Sequence, residues 1–230
     1  MFYIPDDAGH PLANQISEFI QSPDFPCVGA KAALNREGMH FVVARDFGSA
    51  WDDLRILPAL LDLSKRYRAQ PRLFQSLVVI FESGAPDDEE SFEQLLWERL
   101  KSLTGKDEWL GQPADERVSH DPDDPHFAMS FGGEAFFVVG LHPKASRPAR
   151  RFANAAMVFN LHDQFVRLRE LGRYDGLSAA IIDRDIELAG SVNPMLAGHG
   201  TVSAARQYSG REVGDGWRCP FAGRGKEHAA

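Results

Sequence analysis

One segment of the chain combines a histidine with closely spaced arginines. Residues 140–152 read GLHPKASRPARRF and contain His142, Arg147, Arg150 and Arg151. A guanidinium binds a carboxylate through two parallel hydrogen bonds, and prolines stiffen the loop that carries it. We expect this loop to bind the carboxylate groups of a cofactor or substrate, with the imidazole at the end of the preceding strand. The alternative is a solvated loop whose arginines pair with the protein's surplus of acids.

The two cysteines, Cys27 and Cys219, are the other side chains suited to binding a metal. They are too few and too far apart for a disulfide framework or a paired CxxC metal site. Cys219 is preceded by Arg218, and a neighbouring guanidinium should favour the thiolate that ligates metals. The alternatives are that a thiol is merely a small buried apolar group, and that the C-terminal segment simply folds back on the core.

The overall charge excludes several classes of partner. With 33 acidic and 25 basic side chains, the formal net charge is −8, whereas nucleic acids and anionic membranes bind basic faces. No apolar run approaches the length of a membrane span, and the N-terminal residues lack the pattern of a signal peptide. Common nucleotide, zinc-protease and hydrolase motifs are also absent. We therefore expect a cytoplasmic protein that binds neither nucleic acid nor membrane.

Hydrophobic spacing predicts strands and helices that alternate along the chain. The clearest prediction is a hairpin near 126–141, in which strands 126–131 and 134–141 flank Gly132-Gly133, a pair that tolerates positive φ. The other predicted elements are helices at 13–22, 31–36, 51–67, 87–103, 161–171 and 177–188, and strands at 39–44, 77–81 and 155–159.

Two segments carry no regular pattern. Residues 105–125 are rich in Gly, Pro and Asp and predict a long loop, and residues 199–230 predict an irregular tail. We interpret the loop as a surface excursion, since neither side of it contains a complete core of its own. The mixed order of elements predicts a single α+β (mixed α/β) domain over residues 1–230, with a central sheet and surrounding helices.

Six segments in this order resemble the YqcI/YcgG family and together span most of residues 25–221. They are FPCVGAKAALN, GLHPKASRPARRF, VFNLHDQFVRLRELGRYDGL, IDRDIELAGSVNPML, ARQYSGREV and WRCPF. The chain is similar to family members that are haem-dependent N-hydroxylases, one acting on arginine in cycloserine synthesis and one on a cyclic guanidine in guanitoxin biosynthesis. The spelling of the first segment most resembles the guanitoxin enzyme.

The resemblance implies an oxidoreductase that carries haem b (iron protoporphyrin IX). The implied reaction is a monooxygenase reaction that uses O2 or peroxide to insert oxygen into an N–H bond of a small guanidine- or amine-containing substrate derived from an amino acid. An electron-donor protein is an implied partner, and a homodimer is left open. Two other functions also stay open: a haem-binding or sensing protein without turnover, and a metal-free interaction protein.

On this resemblance, the axial ligand of the haem iron is the central question. We favour His142, because the adjoining arginines, Arg147, Arg150 and Arg151, would then hold the propionates. The alternatives are Cys219 and Cys27, whose thiolate would favour cleavage of the O–O bond, and then His162.

A guanidinium substrate in a pocket requires a carboxylate partner. The acids within the resembling segments are Asp163, Asp183, Asp185 and Glu187. We select Asp185 as the catalytic-site carboxylate and Gln164, near His162, as a second catalytic candidate. The alternative is that residues 183–187 are the solvated side of a helix.

Overall fold

The computed structural model describes residues 6–196 and 200–221. The described helices are α1 (Pro11–Gln21), α2 (Val28–Asn35), α3 (Asp53–Ala69), α4 (Glu89–Trp109), α5 (Asp163–Glu170), α6 (Tyr174–Ala189) and α7 (Ala205–Tyr208). The described strands are β1 (Met39–Asp46), β2 (Ser76–Ser83), β3 (Met129–Phe131), β4 (Glu134–Leu141) and β5 (Ala156–Leu161). None of these helices is long and apolar enough to cross a bilayer.

The strands form one mixed sheet in the order β1-β2-β5-β4-β3. β1 and β2 are parallel, as expected for strands connected through a helix, and the other neighbours are antiparallel. The predicted hairpin is confirmed: β3 and β4 pair across Gly132 and Gly133, whose φ angles are +57° and +79°. One sheet with surrounding helices confirms the predicted α+β class.

Helices cover both faces of the sheet, and side chains alternate between the faces along each strand. Helices α3 and α4 cover one face, where Val42, Val79 and Phe159 join a large aromatic core. Helices α1, α2, α5 and α6 cover the other, above Val78 and Leu141. We call these the α3/α4 face and the α2/α6 face.

The predicted loop at 105–125 begins too early, because α4 continues to Trp109. The buried carboxylate of Asp107 accepts a hydrogen bond from the backbone N–H of Gly132, 3.0 Å away. This contact fixes the last turns of α4 against the hairpin and carries the helix through Gly105. A tertiary contact thus outweighs the low helix propensity of glycine.

Other boundaries also differ from the predictions. The first strand of the hairpin is confined to Met129–Phe131, and β5 extends to residue 161, which pairs with Phe136 of β4. A strand therefore occupies the predicted start of the helix at 161–171. In the tail predicted to be irregular, residues 205–208 form α7, while residues 199 and 222–230 lie outside the described residues.

Candidate functional site

A cavity of about 300 Å³ lies on the α2/α6 face between the sheet and the helices. This volume is at the lower end of the range for small-molecule sites. Its floor is apolar and includes Val139, Leu141 and Val158 of the two adjoining strands β4 and β5. The surface suits a ligand with a large apolar face. We call it the first cavity.

Helix α6 forms the roof of the first cavity. Leu177, Ile181 and Asp185 follow one another at four-residue spacing and all line it, so one side of the helix faces inward. Asp185 is the only buried residue of α6. Its neighbours Asp183 and Glu187 are exposed. The helix therefore covers a space instead of filling it, and Asp185 is distinguished from the acids around it.

A buried ion pair adjoins the apolar wall of this cavity. Arg147 pairs with Asp185 and donates further hydrogen bonds to the hydroxyl and the carbonyl oxygen of Ser191, each at 3.1 Å. The Nε atom of Arg147 is buried and has no hydrogen-bond partner among the described residues. Because unpaired buried donors are rare in folded proteins, this nitrogen is a candidate contact for a bound anion.

Cys27 lies in the wall of the first cavity at the N-terminus of α2. Its Sγ atom accepts a hydrogen bond from the backbone N–H of Ala30 at 3.4 Å. Burial raises the pKa of the Cys27 thiol, and the backbone N–H groups of Ala30 and Gly29 lower it by less. The sulfur is therefore a protonated thiol at neutral pH, held among apolar groups beside the Asp185–Arg147 pair.

Gln164 and Asn160 add polar groups to the first cavity. The side-chain oxygen of Gln164 accepts from the backbone N–H of Gln75 at 2.9 Å, and its NH₂ donates to the carbonyl oxygen of Gln75 at 3.1 Å. Asn160 accepts from the Ser76 hydroxyl at 2.7 Å. Gln164 lines the cavity as predicted for a site residue, but these bonds give its amide the role of attaching α5 to the start of β2.

His142, the favoured ligand, lies on the opposite side of the sheet. Its ring stacks on Phe92 of α4 with centroids 4.1 Å apart. Gly140 permits this stacking, because a Cβ atom there would lie 2.5 Å from Phe92. Burial lowers the pKa of His142 to about 4, so the ring is neutral at neutral pH. Neither ring nitrogen has a hydrogen-bond partner among the described residues, and the ring does not line the first cavity.

Cys219 also lies away from the first cavity. It packs against the core of the α3/α4 face, as does Trp217. Burial, with smaller contributions from Asp123 and Glu93, raises the pKa of Cys219 to about 12. The expectation that Arg218 would favour the thiolate is therefore wrong: loss of solvent around the sulfur dominates. The structure brings Cys27 to the arginine loop, and leaves Cys219 on the other face.

The three arginines of the loop have different roles. Arg150 is fully engaged in holding the chain: it donates to the carbonyl oxygens of Gly140, Gln207 and Tyr208 at 2.8–3.2 Å. Arg151 donates to two carbonyl oxygens of its own loop and is exposed. Only Arg147 combines a position in the cavity wall with an unpaired donor.

His162 belongs to a second cavity, of about 370 Å³, on the same face of the sheet. Phe137, Phe165 and Leu196 line both cavities and separate them. Helix α6 also roofs the second cavity, through Tyr174, Ser178 and Ile182, again at four-residue spacing. The sequence analysis identified none of these six residues as part of a site. Only the two interleaved four-residue spacings of α6 were visible beforehand as a signal.

Comparison with known proteins gives one match. A family model described as the YqcI/YcgG family matches residues 16–222 of the chain. No curated protein and no solved structure gives a significant match. The matched segment contains both cavities and every candidate ligand discussed above. Because the match covers most of the 230 residues, the chain belongs to the YqcI/YcgG family.

Proposed function

We propose that this protein is a haem-dependent oxygenase that N-hydroxylates a small guanidine- or amine-containing substrate. The observation that carries the proposal is the first cavity, in which a cysteine, an arginine with an unpaired donor and a buried carboxylate share one apolar chamber. The family resemblance supplies the reaction class, and this chamber supplies groups suited to it.

The residues of the first cavity fit a haem. The apolar floor suits the porphyrin face, Cys27 offers a sulfur ligand for the iron, and Arg147 Nε offers a donor for a propionate. A porphyrin needs more space than about 300 Å³, so binding requires α6 to move away from the sheet. That movement is feasible because Asp185 is the only buried residue of the helix.

Two residues of the chain would then act on the reactants. Bound haem supplies the oxidant, derived from O2 or peroxide, that hydroxylates the N–H group. Cys27 must lose its thiol proton to bind iron, because the ligating form is the thiolate. Asp185 already binds the guanidinium of Arg147, and a guanidine substrate would present the same planar, cationic group to it. An electron-donor protein completes the proposed system.

Absorption spectra of protein expressed with haem precursor test this proposal. We expect a Soret band in the unmodified protein, its loss in Cys27→Ser and its retention in Cys219→Ser. These two variants remove the same sulfur atom from opposite faces of the sheet, so each controls for the other. The carbonyl complex of the reduced protein should have the band position of a thiolate ligand rather than of imidazole.

The pH dependence of haem binding gives an independent reading of the ligand. Because the Cys27 thiol must release a proton, haem affinity should rise with pH by about tenfold per unit while the thiol is protonated. Loss of the band in His142→Ala with Cys27→Ser unchanged would assign the imidazole instead. No band in any preparation would overturn the haem proposal and favour a metal-free interaction protein.

Turnover separates an oxygenase from a haem-binding or sensing protein. The reduced, haem-loaded protein should consume O2 with a guanidine substrate and form a hydroxyguanidine, detectable by mass spectrometry. We expect Asp185→Asn to retain the Soret band and lose most product formation. A stable spectrum without O2 consumption for any guanidine or amine tried would identify a storage or sensing role.

A further inference from the structure

The second cavity is separated from the first by aromatic side chains. The rings of Phe137 and Phe165 meet edge to face with centroids 6.3 Å apart, and both line each cavity. Leu196 and Val202, at 43% and 40% exposed, lie at the margin of the second cavity. A small molecule can therefore enter from solvent over an apolar margin and reach the aromatic wall of the first cavity.

The polar groups of the second cavity are basic or neutral. In a protein with 33 acidic side chains, none of the described residues that line this cavity is acidic. Arg169 is its only lysine or arginine, and His126 and His162 also line it. The nearest acid that contacts the lining, Asp124, is engaged with the ring and backbone of His126, at 3.3 and 2.7 Å. The cavity is thus suited to an anionic group.

Arg169 is held in position without an ion-pair partner. Its guanidinium carbon lies 4.1 Å from the centroid of the Tyr174 ring, and it forms no ion pair with a described residue. Stacking on an aromatic ring restrains the guanidinium while leaving its in-plane donors available. This differs from Arg147, Arg150 and Arg151, whose donors are bound to Asp185 or to backbone carbonyl oxygens.

We infer that the second cavity binds the carboxylate of a small amino-acid-like ligand through Arg169. The inference extends the proposed function, because it takes this ligand to be the substrate and so restricts the substrate to guanidines or amines that carry a carboxylate. Arg169 binds the anionic end, and the Phe137–Phe165 pair contacts the aliphatic part. The cationic end then points toward the first cavity, where Asp185 is the buried carboxylate.

Isothermal titration calorimetry with L-arginine and agmatine tests this inference, since agmatine has the same guanidine but no carboxylate. The full chain should bind L-arginine at least about tenfold more tightly, the expected contribution of one charge-assisted hydrogen-bonded pair. Arg169→Gln should abolish this preference. Arg173→Gln, an exposed arginine just beyond α5 that lines neither cavity, is the matched control and should preserve it.

Further variants and controls make the result specific. Arg169→Lys keeps the charge but not the planar fork, so part of the preference should remain. Circular dichroism verifies that each variant folds. Equal affinities for the two ligands in the unmodified protein, no binding of L-arginine, or an unchanged preference in Arg169→Gln would each overturn the inference.

These outcomes can be told apart from failure of the haem proposal. Arg169→Gln should leave the Soret band intact, because Arg169 does not line the first cavity. A preference for L-arginine without any haem binding would support the carboxylate site and reject the haem. Haem binding without the preference would do the reverse.

Discussion

The two faces of the sheet use charge and space differently. On the α3/α4 face, buried charges neutralise one another within a continuous aromatic core; the Asp53 carboxylate, for example, contacts Arg99, Ser102 and Lys106 at 2.6–2.8 Å. On the α2/α6 face, the helices enclose two cavities, and Asp185 is the only buried residue of α6. One face supplies stability, and the other supplies room for ligands.

The largest expected difference is between two buried carboxylates, one on each face. Asp53→Asn should lower the free energy of unfolding by about 3–5 kcal/mol, because it leaves the buried Arg99 guanidinium without its counter-charge. Asp185→Asn should cost only about 1–2 kcal/mol, since Arg147 keeps its bonds to Ser191 and borders a cavity. Urea denaturation monitored by circular dichroism measures both. Equal losses would contradict the proposed division between the faces.

Two leucine truncations refine the same comparison. Leu60→Ala removes a fully buried side chain of α3 and should cost about 2–5 kcal/mol. Leu177→Ala removes a partly buried side chain that already borders a cavity, so its cost should be below about 1.5 kcal/mol. The same urea titration compares them in ligand-free protein. A loss for Leu177→Ala as large as for Leu60→Ala would make α6 part of the core.

The smallest expected effect is the pH dependence caused by His142. Its pKa is about 4 when folded and about 6.5 when unfolded, so the unfolded chain binds the proton first as the pH falls. Stability is complete above pH 6.5, and roughly 2 kcal/mol should be lost between there and pH 4. His142→Phe keeps a ring stacked on Phe92 and removes the titration. Identical pH profiles for the two proteins would show that the folded pKa is not depressed.

Local sequence signals predicted the parts of the fold that depend on near neighbours. The hairpin followed from two glycines between apolar runs, and both glycines have the positive φ that the turn requires. The end of α4 could not be predicted in this way, because it depends on the contact of Asp107 with Gly132, distant in sequence. Such a contact exists only once the hairpin is folded.

The candidate site was predictable in its residue types but not in its arrangement. Asp185, Arg147 and Cys27 were all selected from the sequence, and they line one cavity. The sequence could not show that His142 and Cys219 lie on the other face. Alternation along β4 separates His142 from Leu141, but which face receives the cavity depends on where α2 and α6 pack.

The two interleaved spacings of α6 constrain how the protein can change in evolution or design. Tyr174, Ser178 and Ile182 face one cavity, while Leu177, Ile181 and Asp185 face the other. Inserting or deleting a single residue within this stretch would rotate part of the helix by about 100°, turning side chains away from both cavities together. Individual substitutions can retune either cavity alone, but the length of α6 between Tyr174 and Asp185 is fixed by the two cavities jointly.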